Sequence, residues 1–286
     1  MKENMENRKA LDGKNRKEDP YSPKGDTKSV KIRAFGVTKI YPSANEPVYA
    51  IRDFNLEVEE GEFLCIVGPS GCGKSTFLRI LGGLIAPTSG EVTLLPGKAD
   101  VPLQSIVFQE YAIFPWKTVI DNVAFGLHMR GFPRQERREI AFDWLRKVGL
   151  VGFANSYPHQ LSGGMKQRVS IARAFANNPE ILLMDEPLGA LDAQTRAVLQ
   201  EELIHLWEDL RKTVVYITHS IEEAVLLGDR VVLMTAHPGT NKSEFWVPFK
   251  RPRSFALTSA PEFGRLTYAI WQDLQGEVQK TMEKQR

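Results

Sequence analysis

The chain has 286 residues, of which 42% are hydrophobic and 25% charged, and its formal net charge is +2. That length suits one large domain, or one domain with a subdomain and a tail, with enough apolar side chains for an ordinary globular core. The near-balance of charge argues against a nucleic-acid partner, because a binder of phosphate backbones carries a strong basic excess.

In chain order, residues 1–29 are polar and lysine-rich, without an apolar signal core, and read as a disordered leader. The folded part is expected from Val30. The segment Lys31 to Val58 alternates apolar and polar residues and contains Pro42 and Pro47, which predicts an antiparallel edge with turns. Runs rich in Val, Ile and Leu predict buried strands of a largely parallel sheet at Phe63–Val67, Ser105–Phe108, Ile181–Met184, Val214–Ile217 and Val231–Met234. A short apolar helix, Phe77–Leu81, follows the first of them. From Val119 to about Tyr157 the apolar spacing turns helical, as in Glu139-Ile140-Ala141-Phe142-Asp143-Trp144-Leu145, and predicts a helical insertion between strands. The tail from Glu262 to Lys284 carries a stripe of Phe263, Leu266, Ile270, Leu274 and Val278, the mark of an amphipathic helix. Strands alternating with helices give an α/β fold.

No apolar run is long enough to span a bilayer, since the best are cut by Arg, Glu or Asp. Two cysteines, Cys65 in an apolar run and Cys72 in a glycine-rich loop, give no disulfide framework and fit a reducing compartment.

Three segments carry chemistry. The first is Gly68-Pro69-Ser70-Gly71-Cys72-Gly73-Lys74-Ser75-Thr76, a phosphate-loop pattern placed after one predicted strand and before a helix. Its glycines let the backbone turn tightly and aim several N–H groups at one point, and the helix start adds about half a positive charge. Such a loop binds the phosphates of ATP, with Lys74 reaching the β- and γ-phosphates and the Ser75 hydroxyl holding Mg²⁺. The second is Ile181-Leu182-Leu183-Met184-Asp185-Glu186, an apolar strand that ends in two carboxylates. Adjacent charges there are costly unless a cation or polar ligand meets them. Asp185 is read as the Mg²⁺ contact and Glu186 as the general base for an attacking water. The third is Leu161-Ser162-Gly163-Gly164-Met165-Lys166-Gln167-Arg168, opening a helix to about Phe175. Ser162 caps that helix, and Gly163 and Gly164 leave its first N–H groups bare, so it is a second anion site. One nucleotide does not need two such sites from one chain, so each chain is expected to lend this one to a neighbour's ATP.

Together these segments resemble the ATP-binding cassette (ABC) family over about Val30 to Thr235. Leu161–Gln167 is similar to the family signature, with Met165 where Gln is commonest. The resemblance implies that Tyr41 stacks on adenine and that Gln109 belongs to the loop that senses Mg²⁺ and touches the membrane partner. It implies that Ala190-Leu191-Asp192 crosses the dimer, here after Gly189 where Ser is usual, and that His219 contacts the γ-phosphate. Taken singly Tyr41, Gln109 and His219 are ordinary residues; their order and spacing give them weight. The implied fold is a P-loop ATPase core with a mostly parallel sheet, an antiparallel β subdomain and an inserted helical subdomain. The cassette would span residues 30–240, its helical subdomain about 110–168, and residues 241–286 would add a strand and a helix.

The run Phe114-Pro115-Trp116, then Val119 and Asn122-Val123, resembles the nitrate, sulfonate and taurine importer branch, as does the ending Ala236-His237-Pro238-Gly239, where Arg often stands in place of His237. That likeness implies a second cassette, identical or closely homologous, transmembrane permease subunits and a solute-binding protein as partners, and a peripheral place on the cytoplasmic face of the inner membrane. Three alternatives stay open: an exporter or lipid-transport cassette, a cassette acting in assembly or DNA repair, and a nucleotide-binding regulator. No long heptad insertion of the DNA-repair type is present, and Glu186 with His219 speaks against a mere regulator.

Overall fold

The five residues Phe63–Val67 are all buried, and strand β3 that they form is flanked on both sides by parallel neighbours. In the computed structural model, which describes residues 29–44, 46–97 and 99–284, they lie within a six-stranded sheet. The expected leader, apart from Ser29, lies outside the described residues. The other strands of this sheet are β5 (Gln104–Val107), β6 (Ile181–Asp185), β7 (Thr213–Thr218), β8 (Arg230–Met234) and β9 (Asn241–Trp246), in the order β5-β6-β7-β3-β8-β9. All pairs are parallel except β8 with β9.

Successive residues of a strand point to opposite faces, and the two faces hold two cores. Cys65, Val67, Leu182, Met184, Val214 and Tyr216 face one side, where the fully buried Trp207 packs edge-on against Phe63 at 5.5 Å. Leu64, Ile66, Leu183, Val215, Ile217 and Val232 face the other. There they meet the helix α1 (Lys74–Leu81) and a separate antiparallel sheet of β1 (Val30–Tyr41), β2 (Val48–Glu59) and β4 (Ser89–Leu94), ordered β2-β1-β4. Phe77 of α1 packs on Phe54 of β2 at 4.6 Å, so the phosphate-loop helix is clamped between two sheets. Truncating such a buried ring costs about 3–5 kcal/mol.

Strand β4 does not stand out in the sequence. Its Ser-Gly-Glu-Val-Thr-Leu is mostly exposed, and only Val92 and Leu94 pack on the core. Pairing of β5 with β6 ends at Val107, so Phe108 leaves the sheet one residue earlier than its apolar character suggests.

The expected helical insertion consists of α2 (Val119–Val123), α3 (Phe125–Met129) and α4 (Arg134–Lys147). Thr118 caps α2 by accepting from the Asp121 N–H, and Asn122 ties the turn before it through Phe114. Helix α5 (Gly163–Ala176) then runs back to the sheet, followed after β6 by α6 (Ala193–Leu210), after β7 by α7 (Ile221–Leu227), and last by α8 (Pro261–Lys284). Phe263, Ile270 and Leu274 of the terminal stripe are buried, with Leu266 and Val278 packed at its margin. Cys65 and Cys72 are both buried free thiols. No helix among the described residues is long and apolar enough to cross a membrane.

Candidate active site

Strand β3 is the sheet's third from the β9 edge, and the turn after it, residues 68–73, leads straight into α1. Gly73 has a φ of +103°, and a Cβ there would lie 2.6 Å from the Ala50 carbonyl, so glycine alone fits between loop and β2. No side chain caps α1, which leaves its first N–H groups turned toward the loop. Ser70 and Gly71 are exposed, whereas Gly68, Pro69 and Cys72 are buried beneath them. The Lys74 ammonium donates to the carbonyls of Gly68 (2.8 Å) and Pro69 (2.9 Å) and so braces the loop it belongs to. Burial pushes the Cys72 thiol up, opposed by nearby Lys74, which keeps it a packed thiol and not a nucleophile.

The sheet order explains what meets the loop. Strand β7 lies between β3 and β6, so residues that follow β7 emerge between the phosphate loop and the acidic end of β6. Ser75 donates to Asp185 Oδ1 at 2.8 Å, joining α1 to the end of β6. Asp185 is 3% exposed, and burial raises its pKa; the Ser75 hydroxyl opposes the rise, Glu186 adds to it, and Arg79 and Lys74 oppose it. Glu186 stands at a φ of +42°, a left-handed conformation that costs a non-glycine residue on the order of 1 kcal/mol. Its N–H bonds the Ile217 carbonyl at 3.0 Å, which holds that conformation. The carboxylate faces two partners: His219 Nδ1 at 3.2 Å and the Gln109 amide at 3.5 Å. Gln109, Glu186 and His219 thus come together from β5, β6 and β7.

Ser75, Asp185 and Gln109 present a hydroxyl, a carboxyl and an amide oxygen. Hard oxygen donors of this kind suit Mg²⁺, which takes one or two carboxylates and completes its shell with phosphates and water. No group of three or more His, Cys, Asp and Glu side chains among the described residues is disposed to hold a metal alone.

Among the described residues, no hydrogen bond joins the remaining expected residues to this cluster. Ser162 caps α5, its hydroxyl accepting from the Met165 N–H at 3.3 Å. Among the described residues no hydrogen bond joins Ser162, Gly163 or Gly164 to residues 68–76. Asp192 caps α6 by accepting from the Thr195 N–H at 3.0 Å, and that bond holds its exposed carboxyl below its ordinary pKa. Tyr41 ends β1 half-buried, with the Lys39 ammonium 5.2 Å from its ring centre.

Four further residues support the site; Tyr111, Arg173 and Glu277 have no signal in the linear pattern, while Gly239 lies in the Ala236–Gly239 ending that the sequence marks. Tyr111 covers Gly163, where a Cβ would lie 2.7 Å from the tyrosine hydroxyl. Arg173 of α5 donates to the Ala112 carbonyl at 2.8 Å, fastening the segment after Gln109 to the signature helix. Gly239 exchanges backbone hydrogen bonds with Ala50 (3.0 Å) and Arg52 (2.9 Å), so the 235–240 turn backs the strand on which Gly73 rests. Glu277 of α8 accepts from the Ala236 N–H at 2.8 Å and anchors that turn. Each pairing joins distant parts of the chain; the sequence marks the Ala236–Gly239 ending and the periodic stripe of α8, but not what either one meets.

A family model described as ABC transporter matches residues 51–189. An uncharacterized ABC transporter ATP-binding protein of Methanocaldococcus jannaschii is 49% identical over 266 residues, covering 91% of this chain and 97% of that protein. The chain belongs to the ABC transporter ATP-binding family. Another ABC relative, the nitrate import ATP-binding protein NrtD of Synechococcus elongatus, is 46% identical and covers 80% of this chain and 86% of its own length. The taurine import ATP-binding protein TauB of Pelagibacter ubique is also 46% identical, covering 71% and 78%. Among solved structures, the ATP-binding cassette MJ0796, described as a dimeric post-hydrolysis state bound to ADP and Pi, superposes with a TM-score of 0.69. It is 38% identical and covers 77% of this chain and all of that one. The fold is therefore the ABC ATPase fold, and this ABC protein is an ATP-binding ATPase.

Proposed function

We propose that this ABC ATPase powers an importer: it binds and hydrolyses ATP between two cassettes and drives uptake of a small solute such as nitrate, a sulfonate or taurine through a separate membrane permease. The observation that carries the catalytic part is the convergence of Gln109 and His219 on the Glu186 carboxylate, beside a phosphate loop whose helix start is uncapped. The importer class draws its support from relatives named for nitrate and taurine import.

In this reading residues 30–240 form the cassette, with a helical subdomain at about 110–168, and residues 241–286 extend it. Tyr41 stacks on the adenine. The N–H groups of residues 68–76 cradle the phosphates, and Lys74 exchanges its bonds to Gly68 and Pro69 for oxygens of the β- and γ-phosphates. Ser75, Asp185 and Gln109 hold Mg²⁺, which when bound neutralises charge on the phosphates. Glu186 accepts a proton from the attacking water and aims it in line. His219 donates to the γ-phosphate and keeps the carboxylate oriented. Preorganised donors in such a site stabilise the charge that spreads over the transferring phosphoryl group.

The helix start at Ser162, Gly163 and Gly164, with Asp192, serves the ATP of a second cassette, a homodimer partner or close homologue. The dimeric form of the solved cassette at 38% identity supports that pairing. Permease subunits receive the motion, a solute-binding protein delivers the solute, and the cassette sits peripherally on the cytoplasmic face of the inner membrane. Reconstitution with the permease in vesicles tests the reading. ATP-dependent solute uptake that disappears with Glu186→Gln supports it; uptake that proceeds without ATP hydrolysis by this chain sinks it.

A further inference from the structure

His219 is more than half exposed, and among the described residues its only side-chain partner is Glu186. With more than half of the imidazole exposed, its position depends on the backbone on either side, at Thr218 and Ser220. Both of these neighbours are bonded to one buried residue, Glu223, which is 5% exposed. Thr218 Oγ1 donates to Glu223 Oε2 and at the same time accepts the Ser220 N–H at 3.0 Å. The Ser220 hydroxyl accepts the Glu223 N–H at 3.2 Å.

The other carboxyl oxygen of Glu223 points away from the loop. It accepts from the Tyr216 hydroxyl at 2.8 Å and from the Gln200 amide at 3.3 Å. Tyr216 lies on β7, and burial together with Glu223 keeps its hydroxyl protonated as a donor. Gln200 lies on α6, two turns beyond the cap Asp192, a span of about 12 Å along a rigid helix. One carboxyl group therefore ties the backbone around His219 to the helix that begins at Asp192.

We propose that Glu223 is a positioning residue: anchored on its far side by Tyr216 and Gln200, it holds the Thr218–Ser220 turn so that His219 meets Glu186. This rests on the reading of His219 given above. A purely structural role, anchoring α7, would lower stability without acting through His219. The two differ in their coupling: residues that work through one group show strongly non-additive effects, whereas independent sites add.

The test is ATP turnover of the full chain for Glu223→Gln, Tyr216→Phe and His219→Ala, alone and combined. Glu223→Gln is expected to lower kcat by about tenfold with KM for ATP within about twofold, and Tyr216→Phe, which removes one hydroxyl, by about threefold. In the His219→Ala background each change is expected to slow turnover by no more than about twofold. The positioning role is overturned if both variants turn over at the parent rate, or if their effects multiply in full with His219→Ala. Should Glu223→Gln fail to fold, the Tyr216→Phe cycle decides the matter alone by the same criteria. Parent-rate turnover by His219→Ala would instead overturn the reading of His219, and with it the link through Glu223.

Discussion

His219 Nδ1 lies 3.2 Å from Glu186 Oε2, although the two residues are 33 apart in the chain. The contact exists because β7 runs beside β6 in the sheet: Asp185 pairs with Ile217, Glu186 follows the end of β6, and His219 follows the end of β7 one residue after Thr218 has paired with Val67 of β3. Glu186 is held there by its own N–H bond to the Ile217 carbonyl, which maintains its left-handed φ of +42°. The carboxylate is about one-fifth exposed, accessible to water yet fixed in direction.

Replacing Glu186 by Gln keeps the shape and the hydrogen bonds but removes the proton acceptor. Turnover should fall by about 10²–10⁴-fold, the range of a positioned general base, while ATP binding persists. Phosphate release and nucleotide titration check the two halves, and size-exclusion chromatography with ATP should detect a trapped dimer. Hydrolysis at the parent rate would remove Glu186 from the base role.

Lys74→Ala should act on binding. It deletes a charge-assisted donor to phosphate, worth about 1.5–3 kcal/mol, and also the bonds that brace Gly68 and Pro69. Affinity for ATP should drop by about 10–100-fold, measured by titration with a fluorescent nucleotide. An unchanged affinity combined with lost turnover would contradict this division of labour.

Ser162→Arg places a bulky cation at the cap of α5. If Ser162 serves the nucleotide of a second cassette, cooperative turnover should vanish while affinity of a single chain for ATP changes by less than about threefold. Retained cooperativity would show that the nucleotide needs only one chain.

Glu277 gives a pH prediction. Burial alone would raise its pKa, but hydrogen bonds from Lys280, Lys242 and the Ala236 N–H outweigh that and bring it from 4.5 down to about 2. A folded value below the unfolded one means the unfolded chain takes up the proton more readily. The stabilisation is therefore complete above about pH 4.5 and is lost as pH falls toward 2. Because Lys280 is 63% exposed, the contribution at neutral pH is discounted to about 1–2 kcal/mol. Glu277→Gln should melt a few degrees lower than the parent at pH 7, and the gap should narrow as the pH drops toward 3. A gap that is constant with pH would show that the charge of Glu277 contributes nothing.

Much of this molecule is legible in one dimension. Phe63–Val67 reads as a doubly buried strand because its residues are uniformly apolar and β-prone, and the Gly-rich segment to Thr76 reads as an anion loop because a turn and a helix start depend on adjacent residues. Ser162 reads as a cap for the same reason, and the α8 stripe repeats at helical spacing. These signals are short-range: backbone sterics and periodicity act within a few residues. Strand β4 escaped such a reading because an exposed edge strand needs little apolar pattern. The strand order β6-β7-β3 escaped it too, and with it the meeting of Gln109, Glu186 and His219, the hold of Glu223 on the turn at Thr218, and the reach of Glu277 to Ala236. No local propensity states which strand lies beside which. That is decided by how the two faces of the sheet bury their side chains against helices far away in the chain, and only the folded arrangement carries the result.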